Sequence, residues 1–216
     1  QLKLLHNLRV LEVDPSLTSE EDLPGVERYV VDAFLRFGDE EDVGLVVAPQ
    51  GGFGVDVRVA RFHNVYGPLG TYDGGREKAP AAMCRKVALA PDGGEIEIWG
   101  DGEQTRSFMH INDCVDGVWR LVASEHGGPL NLGTSRLITI NGLVDLVSEI
   151  AGKQLVKRHN MDGPQGVRGR NSDNTNVTKA LGWEPLVILE EGMATSYFWI
   201  ENELVKEGKL PEVASH

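Results

Sequence analysis

The sequence has few cations and few cysteines for its length. Its 216 residues hold 33 Asp and Glu against 21 Lys and Arg, a formal net charge of −12. An acidic surface repels phosphate backbones and lipid headgroups, so we expect neither nucleic acid nor a membrane as a partner. The two cysteines, Cys84 and Cys114, lie far apart without zinc-type spacing. This pattern favours a reducing compartment, so we expect a cytoplasmic protein that holds no metal.

Long apolar runs are also missing. No segment approaches the roughly 20 apolar residues that a membrane helix needs, and the apolar stretch in the opening QLKLLHNLRV is too short for a signal peptide. The chain has no initiator methionine, so we expect a fragment, a processed product or a partial gene model. With 41% hydrophobic residues, its composition is that of a globular protein.

From Phe53 onward, short β-type runs alternate with helical stretches, which predicts an α/β fold. The predicted strands are Val55 to Phe62, Glu95 to Trp99, Leu130 to Leu132 and Leu155 to His159. The predicted helices run from Arg76 to Ala90, from a cap at Asn112 or Asp113 to Ser124, from Thr139 to Ile150, from Asn176 to Leu181 and from Glu190 to Lys206.

The first fifty residues differ in composition from the rest. They hold eleven Asp and Glu against four Lys and Arg, which accounts for −7 of the net charge. The pattern allows a helix over Val26 to Phe37. The stretch from Gly38 to Gly54 mixes acids, a proline and glycines, which predicts loop or disorder.

The segment from Arg61 to Lys86 is the most informative one for function. A strand ends there in a Tyr-Gly-Pro turn, passes through a glycine-containing loop and enters a helix with several cations. In open α/β sheets, ligands bind beyond the carboxyl ends of the strands. The alternative is that these cations only form a solvated helix face.

Four motifs carry a resemblance to a known family. RFHNVYGP at 61–68 resembles the extended short-chain dehydrogenase/reductases, and GGREKAPAAMCRK at 74–86 resembles the GDP-mannose 3,5-epimerases in particular. WGDGEQTRSFMHINDCVDGV at 99–118 resembles the diphosphate-binding strand and the following helix of the superfamily. GPQGVRGRNSDNT at 163–175 resembles a second arginine loop, and LGWEP and YFWIENE continue the match. The resemblance covers about Phe53 to Lys206.

The resemblance implies a fold and a division of the chain. We expect an α/β chain with a partial Rossmann-like parallel sheet and a mixed α/β substrate-binding lobe. Residues 1–52 would be an atypical, acidic and partly disordered remnant of a cofactor half. Residues 53–216 would be the nucleotide-sugar-binding portion of an NAD-dependent epimerase, with a GDP-sugar as ligand and a homodimer as the complete form.

The family match also implies roles for individual residues. The implied substrate-binding residues are Asn64, Glu77, Lys78, Ala79, Lys86, Gln104, Thr105, Arg106 and Arg170. Arg170 would meet the diphosphate, because a planar guanidinium binds phosphate oxygens bidentately. Lys78 would be one catalytic acid/base. The competing interpretations are an exposed helix lysine for Lys78, and pairing with Asp101 or Asp173 for the two arginines.

The implied reaction converts GDP-mannose to GDP-L-galactose, which supplies ascorbate or cell-wall sugar nucleotides. NAD transiently oxidises C4 of the mannose ring and thereby acidifies the hydrogens on C3 and C5. Proton removal and return from the opposite face then invert each centre, and the stored hydride restores C4. A lysine serves as a base only where its surroundings favour the neutral amine.

Two motifs of the family are missing from the chain. The GxxGxxG fingerprint between the family's first strand and first helix has no counterpart here. GGFG at 51–54 precedes a predicted strand instead of following one. No tyrosine is followed four residues later by lysine, and PGVER at 24–28 occupies the place of that motif. We therefore expect the chain alone to be inactive and not to bind NAD. The alternatives are a non-catalytic nucleotide-sugar-binding or subunit-pairing module, and a sister dehydratase or decarboxylase, against which REKAPAA argues.

Overall fold

A computed structural model describes residues 8–11, 30–33, 35–36, 42–49, 55–163 and 167–211, with side chains from Arg58 onward. Its strands are β1 (Leu8–Leu11), β2 (Val30–Ala33), β3 (Leu35–Arg36), β4 (Asp42–Pro49), β5 (Val55–Phe62), β6 (Val65–Tyr66), β7 (Glu95–Trp99), β8 (Thr105–Arg106), β9 (Met109–His110), β10 (Pro129–Leu132), β11 (Ile138–Thr139), β12 (Val156–Asn160) and β13 (Gly169–Arg170). Its helices are α1 (Ala79–Leu89), α2 (Ile111–Ala123), α3 (Ile140–Ile150), α4 (Thr175–Leu181) and α5 (Leu189–Lys206).

The predicted strand Val55 to Phe62 is confirmed as β5, at the centre of a sheet ordered β10, β5, β4, β3. β10 pairs with it in parallel, with Leu132 opposite Phe62, so the carboxyl ends of both strands lie at the same edge. β4 pairs with β5 in antiparallel register on the other side. The sheet is therefore mixed, and its β5–β10 pair supplies the predicted parallel geometry.

Two predictions for the first fifty residues are wrong where the structure describes them. The predicted helix over Val26 to Phe37 contains the strands β2 and β3 instead. The predicted loop from Gly38 to Gly54 contains the eight-residue strand β4. β-branched and apolar residues, such as the VGLVVA run at 43–48, suit a strand that pairs along its whole length with β5. The boundary between residues 52 and 53 stays a prediction.

The helices from residue 79 onward follow the predicted pattern, with corrections at two helix starts. α1 begins at Ala79 and not at Arg76, because Lys78 is its N-cap with an extended backbone. Thr139 caps α3 through its hydroxyl, which accepts a hydrogen bond from Gly142 N at 2.9 Å, as predicted. α2 is not capped by Asn112 or Asp113. His110 is its N-cap, and its Nδ1 atom accepts from Asn112 N at 3.3 Å. An unprotonated imidazole nitrogen can accept this bond, which the usual preference for Ser, Thr, Asp and Asn at a cap did not indicate.

Two apolar clusters form the core of the described residues. The first packs α1, α3 and α5 together over β7, with Val87, Leu143 and Leu204 fully buried. The second lies between β5, β10, α2 and α4, and its buried Trp183 comes from the LGWEP motif. Cys84 belongs to the first cluster and Cys114 to the second, so both pack as small apolar residues, as the sequence predicted.

Candidate functional site

A loop and a cavity lie between β6 and α1, at the strand end that the sequence singled out. The chain leaves β6 at Tyr66, and α1 begins at Ala79, with Lys78 as its N-cap. Neither a capping side chain nor an acid occupies the first turn of α1. A cavity of about 210 Å³ opens here. It is lined by Val65, Tyr66, Gly67, Gly70, Thr71, Arg76, Lys78, Ala81, Ser196 and Ile200.

Lys78 is exposed and lines this cavity together with Arg76. Lys78 is therefore an exposed lysine at the start of a helix and also lines a cavity. Its exposure does not exclude the contact with a ligand that the family resemblance implies. Ala79 is half-buried against the first apolar cluster. The cations Arg76 and Lys78 at the uncapped start of α1 make this wall electropositive.

Glu77 is held tightly beside Lys78. Its side chain is only 9% exposed, and its Oε1 atom accepts a hydrogen bond from Arg85 Nη2 at 2.8 Å. A hydrogen bond from its own backbone amide, together with Arg85, holds the pKa of the Glu77 carboxyl below its ordinary value. Its Oε2 atom is buried and has no hydrogen-bond partner in the structure. Glu77 is not among the residues that line the cavity, so its contact with a ligand stays a prediction.

A three-stranded sheet brings three of the predicted residues together. β8 lies between β11 and β13, and it pairs with β13 in parallel, so that Arg106 lies opposite Arg170. Thr105 N donates to Arg168 O at 2.8 Å, which fixes this register. Arg106 and Arg170 are separated by 64 positions in the sequence, yet they occupy neighbouring positions on adjacent strands.

Asn64 is connected to this arginine pair through Ser107. The Asn64 Nδ2 atom donates to Ser107 O at 3.0 Å, and Ser107 N donates to Arg170 O at 3.1 Å. Asn64 has a φ of +44°, a conformation that asparagine tolerates better than most residues. The carboxyl end of β5 and the arginine pair are thus joined by two hydrogen bonds.

Lys86 and Gln104 are placed at β7. Lys86 Nζ donates to Glu97 O at 3.1 Å, and Gln104 Nε2 donates to Trp99 O at 3.2 Å. The structure therefore joins Asn64, Thr105, Arg106 and Arg170 by contacts, but shows Lys86 bound to the β7 backbone. That Lys86 meets the same phosphate as the two arginines stays a prediction.

The two acids that the sequence named as competing partners of the arginines, Asp101 and Asp173, make other contacts. Asp101 accepts two hydrogen bonds from Arg168 Nη1, at 3.0 and 2.8 Å, and Asp173 Oδ1 accepts from Thr175 N at 3.0 Å. Arg106 Nη1 donates to the carbonyls of Thr105 and Val167 at 2.8 and 2.6 Å. Nothing in the sequence indicated the pairing of Arg168 with Asp101, because the acid and the base lie 67 positions apart.

A second ion pair that the sequence did not indicate lies at the start of α5. Arg136, in the loop after β10, forms two hydrogen bonds with Glu190, one of them at 2.7 Å. This pairing, together with a backbone amide, lowers the pKa of Glu190 to about 2. A carboxyl whose folded-state pKa is lowered contributes stability above its ordinary pKa, and the contribution disappears as the pH falls towards 2.

We expect the Glu190 carboxyl to remain ionised well into the acidic range. Its side-chain ¹³C NMR signal should barely move between about pH 6 and pH 3.5, since an ordinary glutamate titrates near 4.3. In Arg136→Met the signal should titrate within that range, whereas the distant Arg120→Met should leave it unchanged. A wild-type midpoint above about 4 would contradict the pairing.

The described residues do not fit a dinucleotide. A dinucleotide diphosphate needs a tight glycine turn between a strand and a helix whose N-terminus is open. β9 runs directly into α2 and β11 into α3, and both helix starts are occupied by the side-chain caps of His110 and Thr139. α1 follows the long loop of residues 67–78 instead. GPQGVRG at 163–169 has the GxxGxxG spacing, but it leads from β12 into the strand β13 and not from a strand into a helix.

Metal and membrane features are likewise missing from the part of the chain that the structure describes. Within it, no group of three or more His, Cys, Asp or Glu side chains is arranged to hold a metal ion. None of its helices is both long and apolar enough to cross a bilayer. Burial raises the pKa of the Cys84 thiol to about 12, which disfavours its thiolate form.

Comparisons with known proteins agree with this architecture. Residues 44–133 match the model of the NAD dependent epimerase/dehydratase family. A solved structure of UDP-glucose 4-epimerase from Thermotoga maritima, with UDP-glucose bound, is 31% identical, with a TM-score of 0.59 over 67% of this chain and 46% of that one. The fold class predicted from the sequence is therefore confirmed: it is the Rossmann-type fold of sugar-nucleotide epimerases.

The chain is similar to members of the NAD dependent epimerase/dehydratase family. It is similar to GDP-mannose 3,5-epimerase of Arabidopsis thaliana, at 40% identity over 201 residues, which are 93% of this chain and 50% of that protein. UDP-glucuronic acid decarboxylase 5 of the same plant is 34% identical over 65% of this chain and 40% of its own length. The resemblance that the motifs indicated is confirmed. It extends into the first 52 residues, farther than predicted.

The chain spans about half the length of the GDP-mannose 3,5-epimerases that it matches. NAD is the cofactor of the family, as its description says. The fit of the described residues to such a cofactor is poor, so we assign no dinucleotide site to them.

Proposed function

We propose that this chain is the nucleotide-sugar-binding portion of a GDP-mannose 3,5-epimerase, and that it binds GDP-mannose without NAD. The observation that carries the proposal is the register of β8 and β13, which sets Arg106 beside Arg170. Both arginines had been singled out from separate motifs of one family. Two arginines at neighbouring positions on adjacent strands can supply the paired, directional donors that a diphosphate requires.

The sugar ring is proposed to lie at the α1 end of the site. Asn64 ties the β5 end to the arginine pair, and the loop after β6 leads from there to the cavity lined by Lys78. In this arrangement Glu77 accepts a sugar hydroxyl, and Lys78 moves a proton at C3 or C5 of the ring. Gln104 and Thr105 support the nucleotide, and Lys86 approaches the phosphates from β7.

The oxidation step of the reaction is not assigned to any described residue, because these residues do not fit NAD. We therefore propose that the chain alone is inactive. A homodimeric complete form, a cytoplasmic location and a product used for ascorbate or cell-wall sugars complete the proposal. These features rest only on the similarity to GDP-mannose 3,5-epimerases.

We expect GDP-mannose binding to depend on Arg170 much more than on Lys78. A charge-assisted contact to phosphate is worth roughly 1.5 to 3 kcal/mol, so Arg170→Ala should weaken binding by about tenfold or more in a calorimetric titration. Lys78→Ala should change affinity little, because its proposed task is proton transfer. NAD, titrated in parallel, should give no measurable heat.

The matched control is Arg168→Ala. Arg168 is an exposed arginine on the same segment as Arg170, but it pairs with Asp101. The Arg168→Ala variant should bind GDP-mannose like the wild type. UDP-glucuronate should bind more weakly than GDP-mannose to every variant. Equal affinity of the wild type and Arg170→Ala, or no binding by a folded wild type, would contradict the proposal. Preference for UDP-glucuronate would instead favour a decarboxylase.

A further inference from the structure

One arginine of α1 holds the loop that precedes its own helix. Arg85 Nε donates to Tyr72 O at 2.9 Å, and Arg85 Nη2 donates to Glu77 at 2.8 Å. Its Nη1 atom lies 3.6 Å from Asp73 Oδ1. A single guanidinium thus reaches three residues of the loop, and its side chain is 23% exposed. The planar fork of donors makes this possible, since the point charge of a lysine cannot span the same three acceptors.

The far end of α5 holds the same loop from the other side. Lys209 Nζ donates to Asp73 Oδ2 at 3.0 Å and lies 2.9 Å from Glu207 Oε2. The Tyr72 hydroxyl donates to Glu207, which, with burial, raises the pKa of this phenol to about 12. The Tyr72 ring also packs edge-on against Trp199, with ring centroids 5.4 Å apart.

Between these ties the loop has little stiffness of its own. Gly74 and Gly75 have φ angles of +91° and +80°, and an added Cβ at either would meet no atom within 4 Å. Glycines give the backbone the widest conformational freedom, so they do not determine the path of the loop. Arg76 lies between the two glycines and the held Glu77, and Lys78 follows directly. The contacts of Arg85, together with those of Lys209 and Glu207, therefore set the path of the loop that leads to these two cations.

We infer that Arg85 is a positioning residue, which holds the residue 72–77 loop so that the amine of Lys78 lies at the cavity and against the bound sugar. Arg85 itself is not among the residues that line the cavity. The role rests on the proposed function, because it concerns the contact between Lys78 and a GDP-sugar. It goes beyond that function by assigning the geometry of the catalytic lysine to a residue that does not touch the ligand.

The test compares Arg85→Met with the wild type by two measurements. Hydrogen–deuterium exchange of residues 71–78 without ligand should rise by about tenfold or more, because two charge-assisted hydrogen bonds are lost. The second uses protein reductively ¹³C-methylated on lysine, in which the Lys78 resonance is recognised by its absence from Lys78→Ala. GDP-mannose should shift this resonance in the wild type, and by less than half as much in Arg85→Met.

Affinity for GDP-mannose should stay within about twofold in Arg85→Met, since the arginine pair that binds the diphosphate is untouched. Arg85→Lys should behave like Arg85→Met, and the matched Arg120→Met, which loses only its pair with Asp116, should behave like the wild type. Unchanged hydrogen–deuterium exchange, or a full shift of the Lys78 resonance in Arg85→Met, would overturn the positioning role of Arg85 but not the proposed function. Absence of binding by a folded wild type would overturn the proposed function and the positioning role together.

Discussion

Replacement of Trp183 by alanine should destabilise the folded chain by about 3–5 kcal/mol, the usual cost of deleting a buried tryptophan side chain. Trp183 is 4% exposed and belongs to the cluster between β5, β10, α2 and α4. Its ring lies so close to α2 that a Cβ at Gly117 would stand 2.7 Å from the Trp183 Cη2 atom. The chain therefore has a small residue on α2 where the tryptophan docks.

A hydrogen bond adds direction to this packing. Trp183 Nε1 donates to Asp116 Oδ2 at 2.6 Å, and the same oxygen accepts from Arg120 Nε at 2.8 Å. Trp183→Phe keeps most of the apolar contact and removes only this bond, so it should cost about 1 kcal/mol. Comparison of Trp183→Ala, Trp183→Phe and the wild type thus separates the contribution of packing from that of the hydrogen bond.

Thermal unfolding followed by circular dichroism measures these differences. A loss of 3–5 kcal/mol corresponds to a fall in Tm of roughly 10 °C for a chain of this size. Trp119→Ala is the control. Trp119 lies on α2, the helix against which Trp183 packs, but its side chain is 37% exposed. It should cost less than half as much. Equal costs for the two alanine variants would contradict the docking of Trp183.

The sequence was sufficient to predict most of the helices and strands after residue 53, because their signals lie in neighbouring residues. β5 and β7 were predicted with their observed bounds, because short β-branched runs lie between clear turn residues. Gly182 ends α4 with a φ of +60°, a conformation that glycine adopts without strain. These signals involve neighbouring residues only, so no knowledge of the tertiary structure was needed.

The predictions that failed depended on partners distant in the sequence. β4 is a strand because it pairs with β5, and acids and glycines around it suggested a loop. The His110 cap depends on the imidazole being turned back to Asn112 N, which composition does not show. Local propensity is a weak guide where tertiary pairing supplies the hydrogen bonds.

For the site, the sequence supplied residue types and the family resemblance supplied roles, but neither supplied contacts. The register that sets Arg106 opposite Arg170 joins two segments more than sixty positions apart. Arg85 was noted in the sequence only as one of several helix cations, and its three contacts to the loop became visible in the structure. Contacts across such distances follow from the packing of whole elements.

The second large effect is expected at Gly192, in the first turn of α5. An added Cβ would overlap the Tyr66 hydroxyl oxygen, and it would lie 3.1 Å from both Tyr66 Cζ and His110 Cδ2. Tyr66 is 6% and His110 5% exposed, so neither ring can move into solvent. Glycine to alanine in a helix normally gains up to about 1 kcal/mol. Here overpacking should reverse the sign, and Gly192→Ala should destabilise by about 1–3 kcal/mol.

Removal of the hydroxyl oxygen should relieve this overlap. Tyr66 Oη donates only a long hydrogen bond of 3.4 Å, to Leu189 O, so Tyr66→Phe alone should cost little. In the double variant the alanine methyl gains room, and Tyr66→Phe with Gly192→Ala should be more stable than Gly192→Ala. Urea unfolding of the four proteins gives the coupling energy, with Gly127→Ala, where a Cβ meets no atom within 4 Å, as the neutral control. Additive effects, or a stabilising Gly192→Ala, would show that α5 does not approach β6 as closely as the structure has it.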